Sequence, residues 1–349
     1  MTPATRDADQ PKRQPHEESA AARHVVTEAL TSAKPLVTMS REDLVLIALD
    51  AGAAAQGAEY VPFADAVERE LVEVHELDGG SVPALTAVAK GSDVLLLDGD
   101  TVVGGKQNRV VNITIWLAAS TTTTIPVTCL EAGRWDRAPG RFDSGRKVDL
   151  AMREKLHRMV NENVHRSAEF APEASPAYVA DQSAVWEEIG RKHARAGMRS
   201  ETAALHDLYA READELAQIR RAFPYPQGAC GLAVAIGGSV MALDLFDAPK
   251  TLEHQWPRLV EAAASAWLDE RRAVALGTKA KVAHRYPDPG ALDRLLDRAR
   301  GVLGDAEVHP SVGAGYDVRM SGEKVHGSAL VHRGRAVHVA LFRGEPVSA

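Results

Sequence analysis

The chain has 349 residues, 45% of them apolar, which is enough for one large domain or two smaller ones with a sizeable core. The formal net charge is −7 and Lys and Arg are spread along the chain, which argues against a nucleic-acid partner. Two cysteines without CxxC spacing exclude a disulfide scaffold; with no signal peptide and no apolar run of bilayer length, the expectation is a soluble, cytoplasmic protein with no membrane partner.

Residues 1–36 read as a disordered tail ahead of a single domain over 37–349, with possible sub-lobes at 37–146, 147–268 and 269–349. DLVLIAL (44–50) is a buried strand or, if Ser40 and Asp43 form a capping box, a helix; the Gly and Ala that follow favour the strand. PFADAVERE opens a short helix on Pro62, and LVEVHEL (71–77) alternates as a strand wet on one side. VPALTAV and DVLLL are strands, with Asp98-Gly99 a hairpin turn before TVV. One long strand is expected over about 107–117 and another over 122–129, followed by a Gly-, Arg- and Asp-rich loop over 131–146.

Helices follow over about 147–167, 182–196 and 201–222, with Asp181 and Ser200 as N-caps of the second and third. LAVAIGGSVMALDLF is a hairpin turning at Gly237-Gly238. Pro257 kinks or restarts the next helix, a further helix spans 288–301, and the chain ends in strands with a turn at Arg333-Gly334. Grouped rather than alternating elements indicate an α+β fold: a largely antiparallel sheet or sandwich core with packed helices and an inserted helical segment at about 147–222.

GGK at 104–106 invites a phosphate-loop reading, which fails. Asp100 stands where the first glycine belongs, Gln107 replaces the Ser or Thr, and the β-branched VVNITIWL that follows is no helix. The glycines are better read as a bulge or a close approach.

The same stretch carries unusual polarity. Val111, Ile113, Ile115 and Leu117 mark a core face that Gln107 and Arg109 share; Asn108, Asn112 and Thr114 make the other face. On the next strand Thr123, Ile125, Val127 and Cys129 share a face that extends to Glu131. Pairing the two core faces puts either Arg109 directly opposite Glu131, or Gln107 there with Arg109 diagonal. Arg and Glu are rarely buried unless paired, so the structural reading is an ion pair closing one end of the core. The functional reading is a site: Lys106, Arg109 and Arg134 hold a carboxylate or phosphate, Asn108, Asn112 and Gln182 orient it, and Trp135 covers it. Glu131 either positions Arg109 or acts as a base, and His206, at the margin of a buried helical stripe, is a second candidate acid or base. Arg137 adds to the local positive charge.

Cys129 is a candidate nucleophile on which burial and positive neighbours act in opposite directions. No GxSxG or HExxH occurs. His326 and His332, six residues apart on one strand, are roughly 20 Å apart. His338, placed across from Ala329, faces the other side of the sheet, so no protein-built metal site is expected, and the cofactor is left open.

The segments GGSVP, LLLDGDTVVGGKQNRVVNITI, IPVTCLEAGRW, DQSAVWEEI, LHDLY, AIGGSVMALDLFD and VGAGYDVRMSG…VHGSALVHRGRAVHVALF together resemble the ARPP domain. Its name records association with ADP-ribosylglycohydrolases and rhodanese-phosphatase-superfamily proteins. The resemblance covers about residues 59–343, and GGKQNR…N and CLEAGRW are its specific strings. It implies, by association, an ADP-ribose-like or nucleotide ligand, and supplies no catalytic residue. The expected function is binding of, and enzymatic action on, a phosphorylated or ADP-ribose-like anion. The alternative is a non-catalytic interaction module whose polar strand is structural and whose hairpins and acidic helices dock a protein partner.

Overall fold

The computed structural model describes residues 15–52, 60–77, 83–133, 142–170, 177–280 and 286–344. Along the chain run α1 (Pro15–Ser32), β1 (Lys34–Arg41), β2 (Leu44–Asp50), β3 (Val61–Pro62), α2 (Phe63–Glu68), β4 (Val72–Glu76), β5 (Ala84–Ala89) and β6 (Val94–Leu96). They lead to β7 (Thr101–Val103), β8 (Arg109–Val111), β9 (Ile115–Leu117), β10 (Thr122–Cys129) and β11 (Asp143–Ser144). The inserted helices are α3 (Leu150–Phe170), α4 (Gln182–Arg195), α5 (Leu205–Arg211) and α6 (Ala213–Arg221). The hairpin β12 (Gly231–Ile236) and β13 (Ser239–Phe246) precedes α7 (Pro249–Ala275) and α8 (Ala291–Val302). Four strands end the described chain: β14 (Glu307–Pro310), β15 (Tyr316–Gly322), β16 (Val325–His332) and β17 (Arg335–Arg343).

The α+β expectation holds. An eight-stranded sheet runs β1-β2-β12-β13-β17-β16-β15-β14, all its neighbours antiparallel. Strand β2 is apolar from Leu44 to Leu49 because both its faces are covered. Leu44, Leu46 and Ala48 belong to the core that also holds Leu252, Trp256, Leu259 and Trp267 of α7. Val45, Ile47 and Leu49 belong to the core that also holds Ala22, Val26 and Leu30 of α1 and Leu292, Leu295 and Leu296 of α8. Those three α1 residues recur every four positions, which makes a buried stripe in an otherwise polar stretch. Residues 15–32 are therefore helix, not disordered tail. The large sheet also takes strands from 34–50, 231–246 and 307–343, so it crosses the sub-lobe boundaries read from sequence.

A second assembly holds the polar stretch. A six-stranded sheet, β11-β7-β8-β10-β5-β4, and a three-stranded one, β3-β6-β9, share a core that includes Val72, Leu85, Val111, Ile115 and Val127. The expected long strand is broken here: β8 and β9 belong to different sheets. The chain bends at Asn112–Thr114, whose side chains are claimed from outside the strand: Asn112 Nδ2 donates to Tyr178 O at 2.9 Å, and Thr114 Oγ1 to Asp98 Oδ1 at 3.1 Å. Asp98-Gly99 does turn the chain, with Asp100 N donating to Leu97 O at 3.0 Å, but the strands it joins do not pair with each other. The helix expected over 201–222 is two helices meeting at Glu212, which is held by Arg272 and Ser265. Asp181 caps α4 as expected, whereas the N-cap position of α5 is Ala204, which offers no side-chain cap, and Ser200 lies upstream, accepting from Ala204 N at 3.2 Å. Helix α7 runs through Pro257.

One buried guanidinium joins the two assemblies. Arg153 of α3 forks onto Asp98 of the turn, with Nε–Oδ2 2.7 Å and Nη2–Oδ1 3.0 Å, and onto Asp244 of β13, with Nη1–Oδ2 2.8 Å and Nη2–Oδ1 2.6 Å. His338 Nε2 lies 2.9 Å from Asp244 Oδ1, and its Nδ1 2.9 Å from Thr114 Oγ1. Burial works to raise both aspartates, but Arg153 outweighs it and holds both carboxyls below the usual range. Gly99, at φ +81°, favours glycine, because a side chain there would be strained and its Cβ would press on Arg153 Cδ at 3.1 Å.

The histidine geometry differs from expectation. A bulge between Leu330 and Val331 puts His338 across from Leu330, so His326 and His338 share a face. On that face His326 stacks on His157, ring centroids 5.4 Å apart. Among the described residues there is no group of three or more His, Cys, Asp or Glu placed to hold a metal, and no helix long and apolar enough to cross a membrane.

Arg153→Met leaves two buried carboxylates without their cation and is expected to cost about 3–5 kcal/mol in urea denaturation; a loss below 1 kcal/mol would show that the fork is not what joins the two assemblies. Burial, aided by Arg319 and Arg158, holds His157 well below its ordinary range and His326 at about 4. The unfolded chain binds these protons near pH 6.5 and the folded chain does not. Their stabilisation is whole above that pH and declines as pH falls towards 4, below which Asp98 and Asp244 continue the loss. Thermal midpoints measured from pH 7.5 to 4 are expected to fall from about pH 6.5 downward, less steeply in His326→Phe.

Candidate functional site

Strands β8 and β10 pair with Arg109 opposite Cys129, Val110 opposite Thr128 and Val111 opposite Val127. Extending that register sets Gln107 against Glu131 and leaves Arg109 diagonal to it, the second of the two arrangements open in the sequence. Gln107 Nε2 donates to Glu131 O at 2.9 Å, and Asn108 N donates to Glu131 Oε2 at 3.3 Å. Asn108 Oδ1 accepts from Gly104 N at 3.1 Å and closes the turn that GGK begins. Gly105 is required there: at φ +53°, its Cβ would lie 2.3 Å from the Phe142 ring.

Arg109 is 1% exposed. Among the described residues its guanidinium makes no hydrogen bond or ion pair, and Nε and Nη1 are sealed from solvent. The corner therefore holds Glu131 and Arg109 together at the edge of the core without the direct ion pair of the structural reading. Lys106 is half-buried at the turn, and its backbone N donates to Glu76 Oε1 at 3.0 Å.

Two expected donors are committed elsewhere. Asn112 spends its amide on Tyr178 O and on Thr128 Oγ1, which donates to Asn112 Oδ1 at 2.8 Å. Gln182 bonds both backbone groups of Cys129 at 2.9 Å, taking the place of a neighbouring strand beyond the end of the β5 pairing. His206 is exposed on α5, one residue after Leu205, whose N donates to Leu130 O at 3.0 Å. Arg134, Trp135 and Arg137 lie outside the described residues. For Cys129 the opposing effects resolve: burial pushes the thiol up, Glu76 and Glu131 add to this, and Arg109 only partly offsets them. The thiol is a core side chain, not an activated nucleophile.

Glu76 was missed. It continues the buried face of β4 after Val72 and Val74, and a carboxylate on an apolar stripe was the available signal. Its charge makes the corner less positive than expected from Lys106 and Arg109.

Gln182→Ala removes two hydrogen bonds to a buried strand end and is expected to destabilise by about 1–3 kcal/mol. Arg109→Met removes a buried, unbonded cation while keeping the stem, and is expected to raise stability by about 1–4 kcal/mol. Urea denaturation of the two variants checks the opposite signs; a destabilising Arg109→Met would mean that the protein itself satisfies this group.

A family model described as the ARG and Rhodanese-Phosphatase-superfamily-associated Protein domain, ARPP-1, matches residues 34–342. Comparison with curated proteins and with solved structures returns no match. The motif resemblance starts at about residue 59, whereas the match starts at β1 and takes in every strand of both assemblies. The chain belongs to the ARPP-1 family.

Proposed function

We propose that this chain binds a small phosphorylated or nucleotide-like anion at the Arg109 corner and acts on it as an enzyme. The observation that carries this reading is the buried, unbonded guanidinium. A cation held out of water without an acceptor costs several kcal/mol, order of magnitude. A phosphate or carboxylate supplies both the opposite charge and a pair of acceptor oxygens matched to the guanidinium fork. Lys106 adds charge at the turn, which Asn108 closes. Glu131, held by the Asn108 amide, either positions Arg109 or serves as the base. ADP-ribose is the specific candidate, on the strength of the association in the family's name. Two free, buried cysteines fit a reducing, cytoplasmic setting.

The interaction-module reading draws on a different feature: β1 is an edge strand exposed along nearly its whole length, with Leu36 and Val37 in the open. It requires no anion.

Thermal denaturation with ADP-ribose, NAD, nucleotides, sugar phosphates and inorganic phosphate separates the two. A ligand at 100 times its Kd stabilises by about 2.7 kcal/mol, and that shift is expected to vanish in Arg109→Ala while the variant stays folded. Absence of any shift at millimolar anion would sink the proposal.

A further inference from the structure

We infer that the ligand of the Arg109 corner presents hydrogen-bond donors beside its anionic group, as a phosphorylated sugar does, and that Glu76 and Gln107 read its hydroxyls. This rests on the anion-binding proposal and narrows it.

Four side-chain atoms at the corner are sealed from solvent and unbonded: Arg109 Nε and Nη1, Glu76 Oε2 and Gln107 Oε1. The first two are donors lacking acceptors, and the last two are acceptors lacking donors. Neither acceptor can turn away to find a partner. Glu76 is anchored through Oε1, which accepts from Lys106 N at 3.0 Å. Gln107 is anchored through Nε2, which donates to Glu131 O at 2.9 Å and so fixes which way its amide faces. Arg109 pairs with Cys129 across β8 and β10, Gln107 bonds Glu131 two residues further along, and Glu76 bonds the backbone of Lys106 beside Gln107, which brings the three side chains to one end of the sheet.

A bare anion answers only half of this. It would neutralise Arg109, but it would meet the Glu76 carboxylate and leave both acceptors unmet. A hydroxyl beside the anion donates to Glu76 Oε2, a charge-assisted bond, and a second hydroxyl donates to Gln107 Oε1. Sites built to bond a hydroxyl reject analogues that lack it far more strongly than apolar pockets reject a size change.

The test uses the full chain and three probes: inorganic phosphate, propyl phosphate and ribose 5-phosphate, followed by calorimetry and thermal denaturation. Ribose 5-phosphate is expected to bind on the order of tenfold or more tighter than the other two. Glu76→Gln keeps the bond to Lys106 N but sets an NH2 donor where the acceptor stood, and is expected to bring ribose 5-phosphate down to the level of inorganic phosphate. Equal binding of the three probes to the wild-type chain, a comparison that needs no variant to fold, overturns the inference and leaves the anion proposal standing. Tighter binding of glutamate than of ribose 5-phosphate also overturns it, because the acceptors would then be reading an ammonium. No response to any probe refutes both.

Discussion

The Arg153 fork is the constraint from which the rest of the structure follows. Its guanidinium leaves α3, grips Asp98 in the turn after β6 and Asp244 in the large sheet, and is surrounded by core on every side. The same turn then sets the strand that carries the proposed site. Gly99 N donates to Val111 O, Val111 N to Asp100 O, and Val148 N to Gly99 O, each at 2.9 Å. Arg109 stands two residues before Val111, so its place is inherited from the turn and thus from Arg153. Lys147 reinforces the arrangement by donating to Asp98 O at 2.7 Å. Buried ionic networks contribute little net stability against an apolar replacement; what they supply here is a unique alignment of two sheets.

Two buried arginines, one residue of helix and one of strand, show the contrast on which the functional reading turns. Arg153 has every nitrogen bonded to carboxylate. Arg109, on β8, has none bonded among the described residues. One guanidinium is fully satisfied and the other bare among the described residues, a contrast that supports the proposed anion site, since stability is commonly traded for function at such places. The alternative, a closed structural network, describes Asn112 and Gln182 well but leaves the Arg109, Glu76 and Gln107 atoms without an account.

Much of this was legible in the sequence wherever periodicity and turn chemistry agree. The strands at 44–50 and 122–129, the Gly237-Gly238 and Arg333-Gly334 hairpins and the Asp181 cap follow from local rules, and odd-with-odd pairing narrowed the register to two choices, one of them right. What failed needed long-range information. Asn112 and Thr114 end a strand only because Tyr178 and Asp98 lie beside them; the bulge at Val337 of β17 that turns His338 onto the face of His326 leaves no local mark in RAVHVALFR. Helix α1 hides its stripe among polar residues. Arg153 sits in a helix of mixed polarity, and nothing local says that its partners are 55 and 91 residues away.

The most direct test observes the Arg109 guanidinium itself. Arginine Nε–H signals in a nitrogen–proton NMR spectrum, assigned by their loss in Arg109→Met and Arg153→Met, report hydrogen bonding at each site. On titration with a sugar phosphate, the Arg109 signal is expected to move and saturate while that of Arg153, already held by two carboxylates, stays in place. An Arg109 signal that carries the signature of a carboxylate bond in the free protein and ignores added anion would contradict the account.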